Sequence, residues 1–461
     1  MEHPTADRAT QLLAAGAIGS AGLVFVVVYA TSIGHGFFTD DFAWIVRSRV
    51  HDVTGWPDLF LTNNGFYRPL VAVSFTANYA FFGNRPLGYG LTNLALAVLC
   101  AVLIHRLLRS LEFPHGAAAF AAFVWLLNFH GINMAIIWTS GRTALLVVAA
   151  SVATAIATLE RRVVLSVVCL LAALFSKEEA VMLPVVLASW QLLLRRERRG
   201  STRHLVSFAL GAAIAFTIYF ALRVQSDAMT YATAPPYYQP TFDAAHVLRN
   251  FREYADRTFT FPVALTVFAF LILRPRSATA IRWDVLKCGL VWVAGGFALT
   301  LFVPGRSNIY VCLPSVGSAL IGATVCSSFW NEASREARKR ALIAAILIPL
   351  ACAPIYIARN RRYVDLAEFT ARTLADMASL TGDLPADTPI VVVDDRSSRA
   401  NLLSAFGTLL DDAYELQTGR RLRIWVEPAI DDAEESGMSR PCTGCERRRL
   451  AVRNGRVVLD D

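Results

Sequence analysis

Charge is scarce in this chain of 461 residues, because Asp, Glu, Lys and Arg together make up only 17% of it. Soluble globular domains carry about 25% charged residues, and the apolar share here, 55%, is higher than theirs. Low-complexity tracts and internal repeats are also missing from the sequence. The composition therefore excludes a disordered, coiled-coil or collagen-like chain and argues against a large soluble enzyme.

Sequence motifs for nucleotide or zinc chemistry are missing as well. No Walker-type phosphate loop, dinucleotide fingerprint, zinc-ligand spacing or nucleophile elbow occurs. This argues against an ATP-driven pump, a doubly wound nucleotide-sugar enzyme and a zinc hydrolase. Cys442 and Cys445 form a lone C-x-x-C, which cannot supply four zinc ligands. A local disulfide is the preferred interpretation if that segment faces an oxidising compartment.

Long apolar runs are what the sequence has instead. A straight helix needs about 20 apolar residues to cross a bilayer, and three of the runs, 143–159, 163–175 and 180–194, are shorter than that. These three could form two helices and a re-entrant piece. The pattern predicts an all-α polytopic membrane protein with about 11 transmembrane helices. The runs are 11–31, 87–108, 116–136, 143–159, 163–175, 180–194, 205–222, 258–273, 284–303, 311–330 and 341–358.

The basic residues predict the orientation. With the N-terminus in the cytoplasm, the Arg and Lys clusters near residues 106–109, 161–162, 195–203, 274–287 and 335–340 all fall in short cytoplasmic connections, as the positive-inside rule requires. Residues 69–82 would reverse every later loop if they crossed, so we expect a helix on the membrane surface there. The predicted location is a bacterial inner membrane, and the +8 net charge reflects topology rather than nucleic-acid binding.

Composition divides the chain in two. Residues 1–358 read as the transmembrane domain, with a first external loop at 33–86, and residues 359–461 read as an extracytoplasmic part. The second part begins with an amphipathic helix over 359–381. Strand-like runs follow at 390–393, 422–426, 449–452 and 456–459, with a helical stretch near 399–416. We predict a small C-terminal α/β module there, and interpret Asp394-Asp395 as a turn.

Two adjacent acids follow the first predicted span. Asp40 and Asp41 lie among aromatic residues in the segment 36–44, where burial or mutual repulsion would raise one pKa toward that of a useful base. Neighbouring side chains point in different directions on a helix or a strand, so one acid could act as a base while the other orients a partner. The alternative is an N-cap and turn that begins an interfacial helix.

Further charged groups lie at external helix ends. Ionisable groups at membrane depth are costly and are functional candidates by default. For each, a structural alternative stays open: a headgroup contact for Arg68, snorkelling for Arg142, a loop cap for Lys177 and Glu178, and a satisfied structural imidazole for His130. The candidates are Tyr67, Arg68, His130, Arg142, Lys177, Glu178, Arg306 and Tyr310.

In their order along the chain and their shared external placement, these candidate residues resemble the motifs of membrane glycosyltransferases of the C-type fold. The resemblance is to the protein O-mannosyltransferase family and its bacterial relatives, and it covers roughly residues 20–320. Each motif is short. They are Asp40-Asp41, Tyr67-Arg68-Pro69-Leu70, the segment 88–94, the segment 138–142, Ser176-Lys177-Glu178, and Arg306 with Tyr310 and residues 313–317.

The resemblance implies transfer of a sugar, by default a hexose, from a polyprenyl-phosphate donor to an extracytoplasmic glycan, lipid or protein acceptor. It implies Asp40 or Asp41 as general base. The donor phosphate would be held by Arg68, Arg142, Lys177 and Arg306, and the substrates would be positioned by Tyr67, Glu178, His130 and Tyr310. No metal ligand is assigned and no cofactor is required, although two acids could bind Mg²⁺ or Mn²⁺.

Two other functional classes remain open at this stage. A transporter or lipid flippase would place charges midway through its spans and often has two related halves, whereas the charges here lie at helix ends. A non-enzymatic envelope scaffold would use the C-terminal module as its binding part.

Overall fold

The computed structural model is mostly helical and ends in a small sheet. It describes residues 8–50, 53–61, 65–194, 202–226, 228–230, 232–275, 281–385, 388–394, 400–428 and 448–460. Cys442, Cys445, Asp395 and the basic residues 195–199 lie outside the described residues, so the expected disulfide stays a prediction.

Each predicted apolar run contains a helix. Six helices among the described residues are long and apolar enough to cross a membrane, and the chain is therefore an integral membrane protein. The other runs form shorter helices, such as the 12 residues of Val163–Leu174, which extend only about 18 Å. The six long helices are Arg8–Ala30 (α1), Pro86–Ser110 (α4), Thr139–Leu159 (mostly α7, Arg142–Leu159), Thr202–Gln225 (α10), Ala244–Leu273 (α11) and Arg335–Thr381 (α14).

The remaining helices fill the space between the long ones and form part of the connections between them. The predicted surface helix at 69–82 is present as a helix, α3. The run 116–136 is divided into two helices, α5 and α6. These helices are Asp41–Val50 (α2), Pro69–Phe82 (α3), His115–Leu126 (α5), Ile132–Ile137 (α6), Val163–Leu174 (α8), Leu183–Leu193 (α9), Trp283–Phe297 (α12), Pro314–Glu332 (α13), Leu402–Phe406 (α15) and Leu410–Thr418 (α16).

Buried tryptophans tie the core of the helical part together. Trp125, Trp190 and Trp292 are almost fully buried, and their indole N–H groups donate to backbone carbonyls of other segments at 3.0, 2.8 and 2.8 Å. A buried N–H without a partner would be costly. Helices α12 and α13 come together at Gly289 and Gly317, where a Cβ on Gly289 would lie 2.9 Å from the Gly317 carbonyl oxygen. Small residues permit this close approach.

Helix α14 connects the helical bundle to the C-terminal module. It runs unbroken for 47 residues, through residue 358, and so extends about 70 Å, more than twice the hydrocarbon thickness. Asn360 on this helix donates to the carbonyl of Val28 in α1 at 2.8 Å. The predicted amphipathic helix at 359–381 is thus the outer half of one long helix.

The C-terminal module contains a four-stranded sheet of order β2-β1-β3-β4. Strands β1 (Pro389–Asp394), β2 (Arg423–Pro428), β3 (Arg448–Arg453) and β4 (Arg456–Leu459) match the predicted strands. Central β1 pairs in parallel with β2 and β3, and β4 is antiparallel to β3. Arg456 at the start of β4 pairs with Asp376 of α14 at 2.7 Å, which fixes the sheet to the outer end of the long helix.

Candidate active site

Asp40 and Asp41 have different surroundings although they are adjacent. Asp41 begins α2 and is fully buried. Its carboxylate accepts hydrogen bonds from the amide and hydroxyl of Ser140 at 2.7 and 2.5 Å, and from the amide of Phe38 at 3.3 Å. Burial raises its pKa to about 7, against the lowering effect of these hydrogen bonds. Asp41 therefore joins the first external loop to the start of the 139–159 segment.

Asp40 is the available acid of the pair. It is exposed to solvent, and within the described part of the chain its carboxylate makes no hydrogen bond or ion pair. Neighbouring protein atoms nevertheless remove part of its water, and this desolvation raises the pKa of its carboxyl. The charge of Arg68 opposes that rise. An acid that is open to solvent yet partly desolvated has the properties of a general base.

Arg68 is held close to this acid by Glu178. Its Nε and Nη2 atoms donate to Glu178 Oε2 at 3.2 and 2.8 Å, and its guanidinium carbon lies 4.1 Å from the centre of the Phe66 ring. Burial would lower the pKa of Arg68, but Glu178 outweighs it and the net shift is upward. The same pair lowers the pKa of Glu178 against its own burial, so both groups stay charged.

Local geometry explains why residues so far apart in sequence meet here. Pro69 occupies the first turn of α3 with Arg68 as its N-cap, and the Leu70 amide donates to the carbonyl of Phe175 at 3.1 Å. That bond places the segment after α8, which carries Lys177 and Glu178, beside the start of α3. The structure thus brings Arg68 and Glu178 together, and the charge of Arg68 acts on Asp40.

Lys177, which precedes Glu178 in the chain, is buried. Its side chain is only 3% exposed, and its Nζ is 2.6 Å from Glu179 Oε1 and 4.7 Å from the centre of the Tyr310 ring. Burial raises the pKa of Glu179, which the positive charge of Lys177 offsets in part. Burial likewise raises the pKa of Tyr310. Sequence reasoning missed Glu179 as the partner of Lys177.

Arg306 lies at the edge of the same region. Its guanidinium pairs with Glu253, which also pairs with Arg257 at 3.0 Å. Tyr254, next to Glu253 in the chain, meets the Tyr310 ring at 6.3 Å, and Tyr310 contacts Lys177, so the Arg306 and Lys177 groups share one neighbourhood. Arg306 is about a third exposed and can contact a ligand from solvent.

Three of the predicted site residues contact other protein groups. Arg142 is fully buried, and each of its three guanidinium nitrogens donates to a protein oxygen, so the group is directed at the protein rather than at a phosphate site. Its partners are Asn93, Ser74, Asn78 and the carbonyl of Tyr89. Tyr67 is fully buried, with its hydroxyl donating to the Phe60 carbonyl at 3.0 Å. His130 packs on Phe129, 4.6 Å between ring centroids, and its pKa is lowered by burial and by Arg359.

Tyr237 and Tyr238 belong to the site but were not predicted. The negative charge of Asp40 contributes, after burial, to raising the pKa of both phenols, that of Tyr238 to about 12. The Tyr238 ring meets the Phe66 ring edge-on at 4.9 Å, and Tyr237 is 55% exposed. A signal was present, because Pro235, Pro236 and two tyrosines stand together in the connection between α10 and α11.

Metal binding has no obvious centre in the site. Over the described residues, no group of three or more His, Cys, Asp or Glu side chains is arranged to hold a metal ion. What the site offers is one open carboxylate, one guanidinium beside it, and an aromatic surface from Phe66, Tyr237 and Tyr238. The carboxylate can accept a proton, the guanidinium can bind an anion, and the aromatic surface can pack against a neutral ring attached to that anion.

Comparison with solved structures supports the predicted fold. No protein-family model matches the chain, and no curated protein matches it. The crystal structure of ArnT from Cupriavidus metallidurans bound to undecaprenyl phosphate is similar over 90% of this chain and 86% of that one, with a TM-score of 0.52 and 14% identity. The apo ArnT structure is similar over 88% and 84%, with a TM-score of 0.56 and 12% identity. The predicted C-type glycosyltransferase fold is confirmed.

Proposed function

We propose that this chain is a membrane glycosyltransferase that moves a sugar from a polyprenyl-phosphate donor to an acceptor hydroxyl outside the cytoplasm, with Asp40 as general base. The observation that carries the proposal is the open carboxylate of Asp40 beside the Arg68–Glu178 pair. The likeness to an ArnT structure that holds undecaprenyl phosphate supports a lipid-linked donor, and such a donor needs no nucleotide-binding motif.

The proposed reaction needs only one proton transfer. Asp40 takes the proton of the acceptor hydroxyl, the acceptor oxygen forms a bond to the anomeric carbon, and the bond from that carbon to the phosphate oxygen breaks. The electron pair leaves with the polyprenyl phosphate. A positive group fixed beside the leaving phosphate stabilises the charge that grows there.

Arg68 is the proposed group for that task. Glu178 engages its Nε and Nη2 atoms, which fixes the plane of the guanidinium and leaves Nη1 able to donate to a phosphate oxygen. Arg306 is the second proposed contact, because it is partly exposed on the same side. Lys177 is buried against Glu179 and Tyr310, so we assign it no direct contact with the donor phosphate.

The direct test is a transfer assay on the purified full-length protein with a polyprenyl-phosphate hexose. We expect release of polyprenyl phosphate by the wild type and its loss in Asp40→Asn, with the variant still binding polyprenyl phosphate. Asp41→Asn is the matched control at the neighbouring position. Wild-type turnover by a folded Asp40→Asn variant would refute the base. Movement of the lipid across liposomes without covalent transfer would favour a flippase.

A further inference from the structure

The C-terminal module contacts the chain immediately before the proposed base. The carbonyl of Ala405, in α15, accepts a hydrogen bond from the amide of Thr39 at 2.7 Å. Thr39 has a φ of +50°, a left-handed conformation that is unfavourable for a β-branched residue. Such a conformation persists where surrounding contacts fix it. Here the fixing contacts are the Ala405 carbonyl on one side and the hydrogen bonds of Asp41 on the other.

An aromatic contact reinforces this hydrogen bond. The rings of Phe42, in the first turn of α2, and Phe406, in α15, stack at 5.8 Å with planes 22° apart. Both side chains are buried. Asp40 therefore lies between two residues, Thr39 and Phe42, that the module holds directly.

The module end of the contact is itself rigid. Asn401 and Ser404 form a reciprocal capping box at the start of α15. The buried carboxylate of Asp394, at the end of β1, accepts a hydrogen bond from the Leu402 amide at 2.8 Å. The central strand of the sheet thus sets the position of α15, and α15 in turn contacts Thr39 and Phe42.

The apolar core is continuous across the contact. Side chains of the first external loop and of the module pack into a single buried cluster rather than two. Members from the loop include Phe37, Phe42, Trp44, Ile45, Val71 and Phe75, and members from α14 and the module include Leu374, Met377, Phe406, Leu410, Ala413 and Tyr414.

We propose that the C-terminal module is a positioning element for Asp40, acting through Ala405 and Phe406 on Thr39 and Phe42. Its task is to hold the carboxylate at a fixed place relative to Arg68. As far as it concerns catalysis, this inference rests on the proposed function, because it takes Asp40 to be the base. The contact between module and loop does not depend on that assumption.

The test compares two variants of the contact with one of the module interior, all in the full-length protein. Phe406→Leu and Phe42→Leu remove the stacked pair from either side and keep an apolar group there. Val391→Ala, at a buried position on the opposite face of β1 that is not part of this apolar cluster, weakens the module without touching the loop. Backbone hydrogen exchange of residues 37–44 is measured together with kcat, the donor KM and the dependence of kcat on pH.

We expect Phe406→Leu and Phe42→Leu to lower kcat about tenfold or more, because small misplacements of a reacting group are costly. The donor KM should stay within about twofold. Exchange over residues 37–44 should accelerate. The acidic limb of kcat should move to lower pH, because an Asp40 released into solvent loses the desolvation that raises its pKa. The double variant should be no worse than either single one, and Val391→Ala should keep the wild-type kcat and exchange.

Wild-type kcat and exchange in both contact variants would overturn the positioning role. So would a fall of kcat in Val391→Ala in proportion to its loss of stability, because folding alone would then explain the effect of the contact variants. If Phe406→Leu fails to fold, Phe42→Leu decides alone. A full-activity Asp40→Asn variant would refute the proposed base, and the exchange data would still decide whether the module holds the loop.

Discussion

Two polar regions meet at the Asp40-Asp41 pair, and each combines an acid of this pair with an arginine. In the outer region, Asp40 is exposed and Arg68 pairs with Glu178. In the inner region, Asp41 and Arg142 are fully buried, and both are surrounded by hydrogen-bond partners. The difference teaches that a charged group is available to a substrate only where part of its hydrogen-bonding capacity is unused, as at Asp40 and at Nη1 of Arg68. A satisfied buried charge is part of the scaffold.

The largest expected effect separates the two acids. Asp40→Asn should lower kcat by about 100-fold or more, because general-base catalysis contributes about 10²–10⁴-fold. Its melting temperature should match the wild type, because Asp40 is exposed. Asp41→Asn should instead lower the melting temperature, because the amide that replaces the second oxygen faces the Phe38 donor. Paired kinetics and thermal melts check this. Equal effects of the two variants would break the distinction between the regions.

A second prediction concerns Lys177 and Glu179, the buried ion pair behind the site. Lys177→Met should destabilise the protein by about 3–5 kcal/mol, because it leaves the Glu179 carboxylate buried without a countercharge. The double variant Lys177→Met with Glu179→Leu should recover most of that loss. Unfolding in detergent measures both. A stable Lys177→Met variant that no longer binds polyprenyl phosphate would show that Lys177 is a donor ligand.

Arg142 offers a third and smaller test. Arg142→Lys should cost about 2–3 kcal/mol of stability, because a lysine ammonium cannot replace the planar set of donors that reaches Asn93, Ser74 and Tyr89. The folded fraction should keep the wild-type donor KM. The measurement is kinetics normalised to active protein. A raised donor KM at unchanged stability would return Arg142 to the predicted phosphate site.

The smallest effect is a shift in pH dependence. The base must be deprotonated, so kcat falls as pH drops below the pKa of Asp40. The Arg68 charge lowers that pKa, so in Arg68→Gln the pKa should rise and the acidic limb should move to higher pH. Arg68→Lys keeps the charge and serves as the control. An acidic limb that stays in place would mean that Arg68 is too distant to act on Asp40.

Much of the fold follows from local sequence patterns. The apolar runs each contain a helix, and the four strand-like runs of the C-terminal part are strands, because periodicity and β-branched content act locally. The length of α14 was not predictable from those signals. Hydropathy falls after residue 358, but nothing there, such as a glycine or proline, ends the helix.

The site was only partly predictable. The closeness of Arg68 to Glu178 agrees with their predicted external placement, whereas the assignment of roles to Asp40 and Asp41 depends on long-range contacts. Ser140, nearly 100 positions away, satisfies Asp41, and Ala405 fixes the backbone at Thr39. No local pattern encodes either partner. The burial of Arg142 has the same origin, since its partners come from two other helices, α3 and α4.

The position of a bound donor tests the central claim most directly. We expect a structure of the full-length protein with a polyprenyl-phosphate sugar to place a phosphate oxygen within hydrogen-bond distance of the Arg68 guanidinium. The anomeric carbon should lie on the side of Asp40, with room for an acceptor hydroxyl between them. A phosphate bound away from Arg68, with Asp40 remote from the sugar, would contradict the proposed glycosyl transfer at this site.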